Sequence, residues 1–181
     1  MRIIGGAHRG RKLLSPADHN IRPTSDRMRE SIFNILSHTP RGLEGANILD
    51  VFAGTGAMGL EALSRGAAHS TFFDKSRKSL QLVQKNISLL ELEEKATIRC
   101  ISAPDFPPSK TPYDVIFLDP PYRLSVINDV FSALKNMGYL ADHCRIVFEY
   151  SSSNTLILPD YLEIIKNKTY GNSHFTILKK I

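Results

Sequence analysis

The stretch with the most discriminating chemistry in this chain is Asp119-Pro120-Pro121-Tyr122. An amine conjugated to an aromatic ring is a poor nucleophile because its lone pair is delocalised. If the Asp119 carboxylate and the Pro120 carbonyl each accept one N–H, the nitrogen is drawn toward tetrahedral geometry and its lone pair is freed. Two prolines stiffen such a cradle, and Tyr122 suits stacking on the ring, so the catalysis is positioning with electrostatic support. The second reactive stretch is Asp50-Val51-Phe52-Ala53-Gly54-Thr55-Gly56, with Gly59 following. Gly54 and Gly56 allow positive φ and close approach of a bound molecule, while Gly59 allows a helix to pack near the strand before it. A third is Asp74, twenty positions after Gly54, where a carboxylate accepts both hydroxyls of an adenosine ribose.

Gly54, Gly56 and Gly59 match the dinucleotide pattern G-x-G-x-x-G, which by itself is weak. Beside an amine cradle, the adenosine cofactor that fits is S-adenosylmethionine, whose sulfonium methyl is open to in-line displacement without a metal. No Pro-Cys pair offers a nucleophile for attack on a pyrimidine carbon, which argues for methylation at nitrogen. Asp50 has two readings that the sequence leaves open, a contact to the methionine ammonium or a cap on a helix or loop. The six histidines, His8, His19, His38, His69, His143 and His174, are scattered without ligand spacing, so no metal is expected.

These groups need a scaffold that brings strand ends together. Asn47 to Val51 is a short apolar run leading through glycines into helical spacing, as in a buried parallel strand feeding a helix. A strand from Ser70 to Asp74 follows, then a helix capped by Ser76 with Leu80, Val83, Ile87 and Leu90 on one face. Further strands are expected at Ala96–Ile101, at Tyr113–Leu118 and at Arg145–Tyr150, with a helix from Val126 to Leu134 between the last two. Upstream, Met28, Ile32, Ile35 and Leu36 predict a helix from a Thr24 or Ser25 cap to about Ser37. The tail, Leu162–Tyr170 and His174–Lys180 around Gly171-Asn172, alternates as an antiparallel hairpin at one edge. Alternating strands and helices imply an α/β fold, a mostly parallel seven-stranded sheet covered on both faces, with ligands at its carboxyl end.

The chain's 181 residues suit one domain, residues 24–181, preceded by a basic arm of short extended pieces, residues 1–23, without a core of its own. Arg2, Arg9, Arg11, Lys12, Arg22, Arg27 and Arg29 face only Asp18, Asp26 and Glu30 in the first 30 residues, which places +4 of the net +5 there. Such an arm suits a polyanion, with Arg9, Arg11, Lys12, Arg22 and Arg27 as candidate phosphate contacts, though a solvated terminus has the same composition. No apolar run is long enough to span a bilayer and none forms a signal peptide, so a cytoplasmic monomer is expected. Cys100 and Cys144 each lie in an apolar run and read as buried, reduced thiols.

The sequence resembles the RsmD-type methyltransferases that modify guanine N2 in bacterial 16S ribosomal RNA. The likeness runs through Arg2-Ile3-Ile4-Gly5-Gly6, Arg9-Gly10-Arg11-Lys12-Leu13, Arg22-Pro23-Thr24-Ser25-Asp26-Arg27-Met28-Arg29-Glu30, Phe33-Asn34-Ile35-Leu36, the glycine loop and Asp119-Pro120-Pro121-Tyr122. The last two are shared by many amino-methyltransferases, and the amino-terminal signature is narrower. The resemblance implies the class I, Rossmann-like methyltransferase fold, S-adenosylmethionine, and 16S rRNA met in the assembling small ribosomal subunit. It implies a cofactor pocket of Asp50, Phe52, Ala53, Gly54, Thr55, Gly56, Asp74, Lys75, Ser102 and Ala103, with Asp119, Pro120 and Tyr122 catalytic. One departure stands out. Where the family usually places Asp or Asn for the adenine amine, this chain has Ile101-Ser102-Ala103, so Ser102 or a backbone group takes that contact. Other classes share parts of the pattern: a DNA adenine-N6 methyltransferase has the cradle, a nicotinamide oxidoreductase only the glycine loop, and a non-catalytic RNA-binding protein would not need Asp119.

Overall fold

A computed structural model describes residues 1–16, 26–39, 41–120, 127–151, 157–171 and 173–181. Seven strands, β1 (Asn47–Val51), β2 (His69–Asp74), β3 (Ala96–Cys100), β4 (Tyr113–Leu118), β5 (Leu140–Ser151), β6 (Leu162–Tyr170) and β7 (Ser173–Lys180), form one sheet. Its order is β3-β2-β1-β4-β5-β7-β6. The pairs from β3 through β5 are parallel, and β7 enters antiparallel between β5 and β6. The tail hairpin therefore closes one edge as its alternation predicts, but its second strand lies inside its first.

Four helices, α1 (Asp26–Ser37), α2 (Ala57–Ser64), α3 (Arg77–Leu89) and α4 (Ile127–Asn136), cover the sheet. The apolar spacing decides which side of each is buried: Met28, Ile32, Phe33 and Leu36 on α1, Leu80, Val83 and Ile87 on α3, and Ile127, Val130, Phe131 and Leu134 on α4. Helices α1, α2 and α3 share one core with Ile48, Phe72, Phe117, Val147 and Phe175, while α4 packs on the other face with Leu49, Phe73, Leu118 and Phe148. The alternation of these strand residues between the two cores is the two-residue strand period. At α3 the predicted cap is present, with the Ser76 hydroxyl accepting the Ser79 N–H. The Thr24 and Ser25 caps, Val126 and Asn172 lie outside the described residues.

Residues 1–16 have no core of their own, yet they are docked. Ile3 and Leu13 are buried in the α1–α3 core, and a bridge between Arg2 and Lys12 folds the segment on itself. Buried Glu61 accepts the Ile4 and Gly5 N–H groups at 2.7 and 2.8 Å and also holds Arg65. Asn86 accepts the Leu14 N–H and donates to the Leu14 carbonyl. One expectation fails: Cys100 is exposed, whereas Cys144 is buried. β3 is an edge strand with only one flank paired, so an apolar neighbourhood in sequence does not bury its last residue.

Candidate active site

β1 lies between β2 and β4, where the sheet's winding reverses, and ligands of such sheets sit outside the strand ends at that point. The register brings three residues to one level. Val51 pairs with Phe73 on one side and Leu118 on the other, so Phe52, Asp74 and Asp119 come next on three adjacent strands. With neighbouring strands about 4.8 Å apart, the Asp74 and Asp119 backbones flank Phe52 at roughly 10 Å from one another.

The glycine loop is held by its neighbours. Gly54 and Gly56 take φ of 55° and 77°, and Phe52 takes 64°, a left-handed conformation rare outside glycine. The Ala53 N–H donates to the Phe73 carbonyl at 2.9 Å and the Gly56 N–H to the Ala53 carbonyl at 2.7 Å. Asp74 accepts the Gly54 N–H at 3.0 Å and the Ser76 N–H at 2.8 Å, tying the loop to the end of β2. Thr55 is buried, and its carbonyl accepts from Asn86 at 3.0 Å. A Cβ at Gly59 would run into the Phe72 ring and the Ser70 hydroxyl, which is the close helix–strand approach expected there.

Asp50 is buried and accepts the Gly59 N–H, in the first turn of α2, at 2.9 Å. Burial pushes its pKa up to about 8, against the Gly59 hydrogen bond, and the charges of Asp119 and Asp74 raise it further. That coupling places three carboxyls around one rim. Asp119 reaches solvent at the end of β4, and among the described residues no hydrogen bond to its carboxyl is found. Its carboxyl nevertheless lies in a low-polarity recess, and this desolvation, with the Glu149 carboxylate nearby, pushes it up to about 7. Pro120 beside it is half-buried.

Lys75 is exposed directly after Asp74, and Ser102 and Ala103 follow β3 as exposed and half-buried residues of a turn in which the Ser102 carbonyl accepts from Asp105. Among the arm candidates, Arg9, Arg11 and Lys12 are exposed, with Arg11 donating to the Leu89 carbonyl at the end of α3. Arg27 is not with them; it faces a groove between α1 and β6. Tyr122 and Arg22 lie outside the described residues. Three contributors were missed in the sequence. Glu149 is the fifth residue of the predicted Arg145–Tyr150 strand and stands beside the β4 end; Glu61 and Asn86 sit at helical positions facing the core, where a polar residue signals a buried hydrogen-bonding task.

The family model described as conserved hypothetical protein 95 matches residues 1–179. The chain belongs to this family of RsmD-type methyltransferases. It is 35% identical to ribosomal RNA small subunit methyltransferase D of Escherichia coli, with 99% of this chain and 90% of that protein covered. The same-named protein of Haemophilus influenzae is 35% identical, with 94% and 89% covered. The solved structure of the methyltransferase candidate yhhF from Escherichia coli superposes with a TM-score of 0.89 at 36% identity, covering 99% of this chain and 97% of that one. The fold is that of class I, S-adenosylmethionine-dependent methyltransferases, with the parallel sheet and antiparallel carboxyl-terminal hairpin described above. Among the described residues no helix is long and apolar enough to cross a membrane, and no cluster of three or more His, Cys, Asp or Glu could hold a metal ion.

Proposed function

We propose that this chain methylates the exocyclic N2 amine of a guanine in 16S ribosomal RNA of the small ribosomal subunit, with S-adenosylmethionine as methyl donor. The observation that carries the reading is the single rim on which the glycine loop at the end of β1 is flanked by Asp74 on β2, which tethers it, and by Asp119 at the end of β4. The names of the relatives point to small-subunit rRNA, and the amino-terminal signature implies guanine N2.

The residues present fit the donor. Asp74 spends one acceptor site of each oxygen on the Gly54 and Ser76 N–H groups, which leaves lone pairs for two ribose hydroxyls. Gly54 and Gly56 clear the approach, Phe52, Ala53 and Thr55 shape the loop, and Lys75, Ser102 and Ala103 border the adenine side. Asp50 braces α2 from below the loop. An acidic rim attracts a ligand that carries sulfonium and ammonium charges and disfavours a nicotinamide dinucleotide's pyrophosphate. When bound, S-adenosylmethionine supplies an electrophilic methyl group. The chain's own task is the amine: the Asp119 carboxylate and the Pro120 carbonyl each accept one N–H, and Tyr122 stacks on the base. Because only the charged carboxylate is a pure acceptor, Asp119 must be ionised to act. Residues 1–23 serve as the RNA-gripping arm of a single methyltransferase domain, working in the cytoplasm as a monomer.

The test is to incubate the protein and S-adenosylmethionine with small subunits lacking this methylation and identify the product nucleoside by mass spectrometry. N2-methylguanosine is expected. Methyladenine on duplex DNA, or no transfer to either, would replace this reading.

A further inference from the structure

One cavity among the described residues lies away from the rim. It is a groove of about 710 Å³ between α1 and the edge strand β6, and four of its lining residues are Arg27, Arg145, Lys166 and Lys168, against one carboxylate, Glu30. The strand period places them together. Lys166 and Lys168 pair through Ile177 and Phe175 with the side of the sheet that α1 covers, and two residues along a strand put their side chains about 6.7 Å apart on one face. Arg145, two residues before Val147 on β5, points the same way.

Among the described residues these cations are not neutralised by carboxylates. Elsewhere on the same hairpin Lys179 pairs with Glu163 and Lys180 with Asp142, but among the described residues none of the four groove cations makes an ion pair. Lys168 donates to the Ser31 hydroxyl, and Arg145 donates to the carbonyls of His143 and Cys144 while its Nε is buried with no partner among the described residues. Tyr170, half-buried at the upper end, stacks on Phe175 and leaves its other face to the groove.

We infer that this groove binds the phosphate backbone of the RNA whose base is presented at Asp119, as a second grip separate from the amino-terminal arm. Lys168 aligns through Phe175 with Glu149, and Phe148, the residue before Glu149, pairs with Leu118, the residue before Asp119. The groove therefore opens at the level of the cradle, three strand spacings or roughly 14 Å away along the sheet. Arg11, by contrast, is bonded at the end of α3, which packs on the β2–β3 side. A strand of RNA crossing the rim meets cations at both ends. The inference rests on the rRNA reading above.

The test is a salt titration of binding for wild type, Arg27→Ala/Lys166→Ala and the charge-keeping Arg27→Lys/Lys166→Arg, on protein-free 16S rRNA transcript and on methylation-free small subunits. Both residues are exposed, and unchanged affinity for S-adenosylmethionine checks the fold. The alanine variant is expected to bind both probes roughly tenfold more weakly and to lose about 1.4 to 1.8 from the slope of log affinity against log salt, with the charge-keeping variant restoring both. Equal affinity and slope for the alanine variant overturn the inference. So does weakening on assembled subunits alone, which would make the groove's partner a ribosomal protein. A wild type that methylates no rRNA but shows the groove effect on transcript would defeat the functional reading and not this one.

Discussion

The two carboxylates that close the rim are held in opposite ways. At the end of β2, Asp74 is committed to the Gly54 and Ser76 N–H groups, and the loop it holds is fastened again through Thr55 to Asn86. At the end of β4, Asp119 accepts no hydrogen bond among the described residues and is crowded electrostatically by Glu149. The difference follows from what each side has to receive. A cofactor pocket gains from having its backbone ordered before the ligand arrives, since the ordering cost is then met in folding. An acceptor meant for substrate N–H groups has to keep its lone pairs open, and it remains partly desolvated until those donors arrive.

The largest effect that would break this contrast is expected at Asp119. Asp119→Ala should lower single-turnover methyl transfer by about 10² to 10³-fold, on the scale seen when one preorganised polar group is removed from an active site, while cofactor affinity by calorimetry stays within a few fold. Transfer near the wild-type rate would show that the open carboxylate is not the cradle. Asp74→Ala should do the reverse, weakening S-adenosylmethionine binding by about ten- to a hundredfold, since a charge-assisted hydrogen bond is worth roughly 1.5–3 kcal/mol. An unchanged dissociation constant would remove Asp74 from the cofactor side.

A pH profile sharpens the comparison. A carboxyl raised to about 7 is neutral below that pH and charged above it, so kcat/KM should climb about tenfold per pH unit below 7 and level off above. Cofactor affinity should not follow the same curve. Asp119→Asn should be slow and lack this inflection; an inflection retained in that variant assigns it to another group. The smallest effect is expected from Asp50→Asn. With Asp50 raised to about 8 and bonded to the Gly59 N–H, most of it is already neutral at pH 7, and an amide oxygen can accept the same bond. Stability by denaturant titration should change by less than about 1.5 kcal/mol, and cofactor binding by less than threefold. A larger loss of affinity would favour the charged contact to the methionine ammonium.

Much of this molecule was legible in order along the chain, because the determining physics is local. Glycines at positions 54, 56 and 59, a carboxylate twenty residues on, and a strand ending in Asp-Pro-Pro specify strand ends and turns through backbone sterics and two-residue or 3.6-residue periods. Those rules predicted the alternation of strands and helices, the Ser76 cap and the carboxyl-terminal hairpin. They also placed Gly54, Asp74 and Asp119 at strand ends at the carboxyl side of a parallel sheet, though not which of those ends are neighbours. That needed the order in which strands pair and a register fixed by the burial of both sheet faces. Non-local pairing likewise decided that Cys100 is exposed on an edge and that residues 1–16 dock through Glu61 and Asn86. It separated Arg27 from Arg9 and Arg11, and it lined up Lys166 and Lys168 with Arg145 from a different strand. In the sequence those lysines are only polar positions of an alternating strand; their common direction exists because β7 is threaded between β5 and β6, and no property of neighbouring residues records that choice.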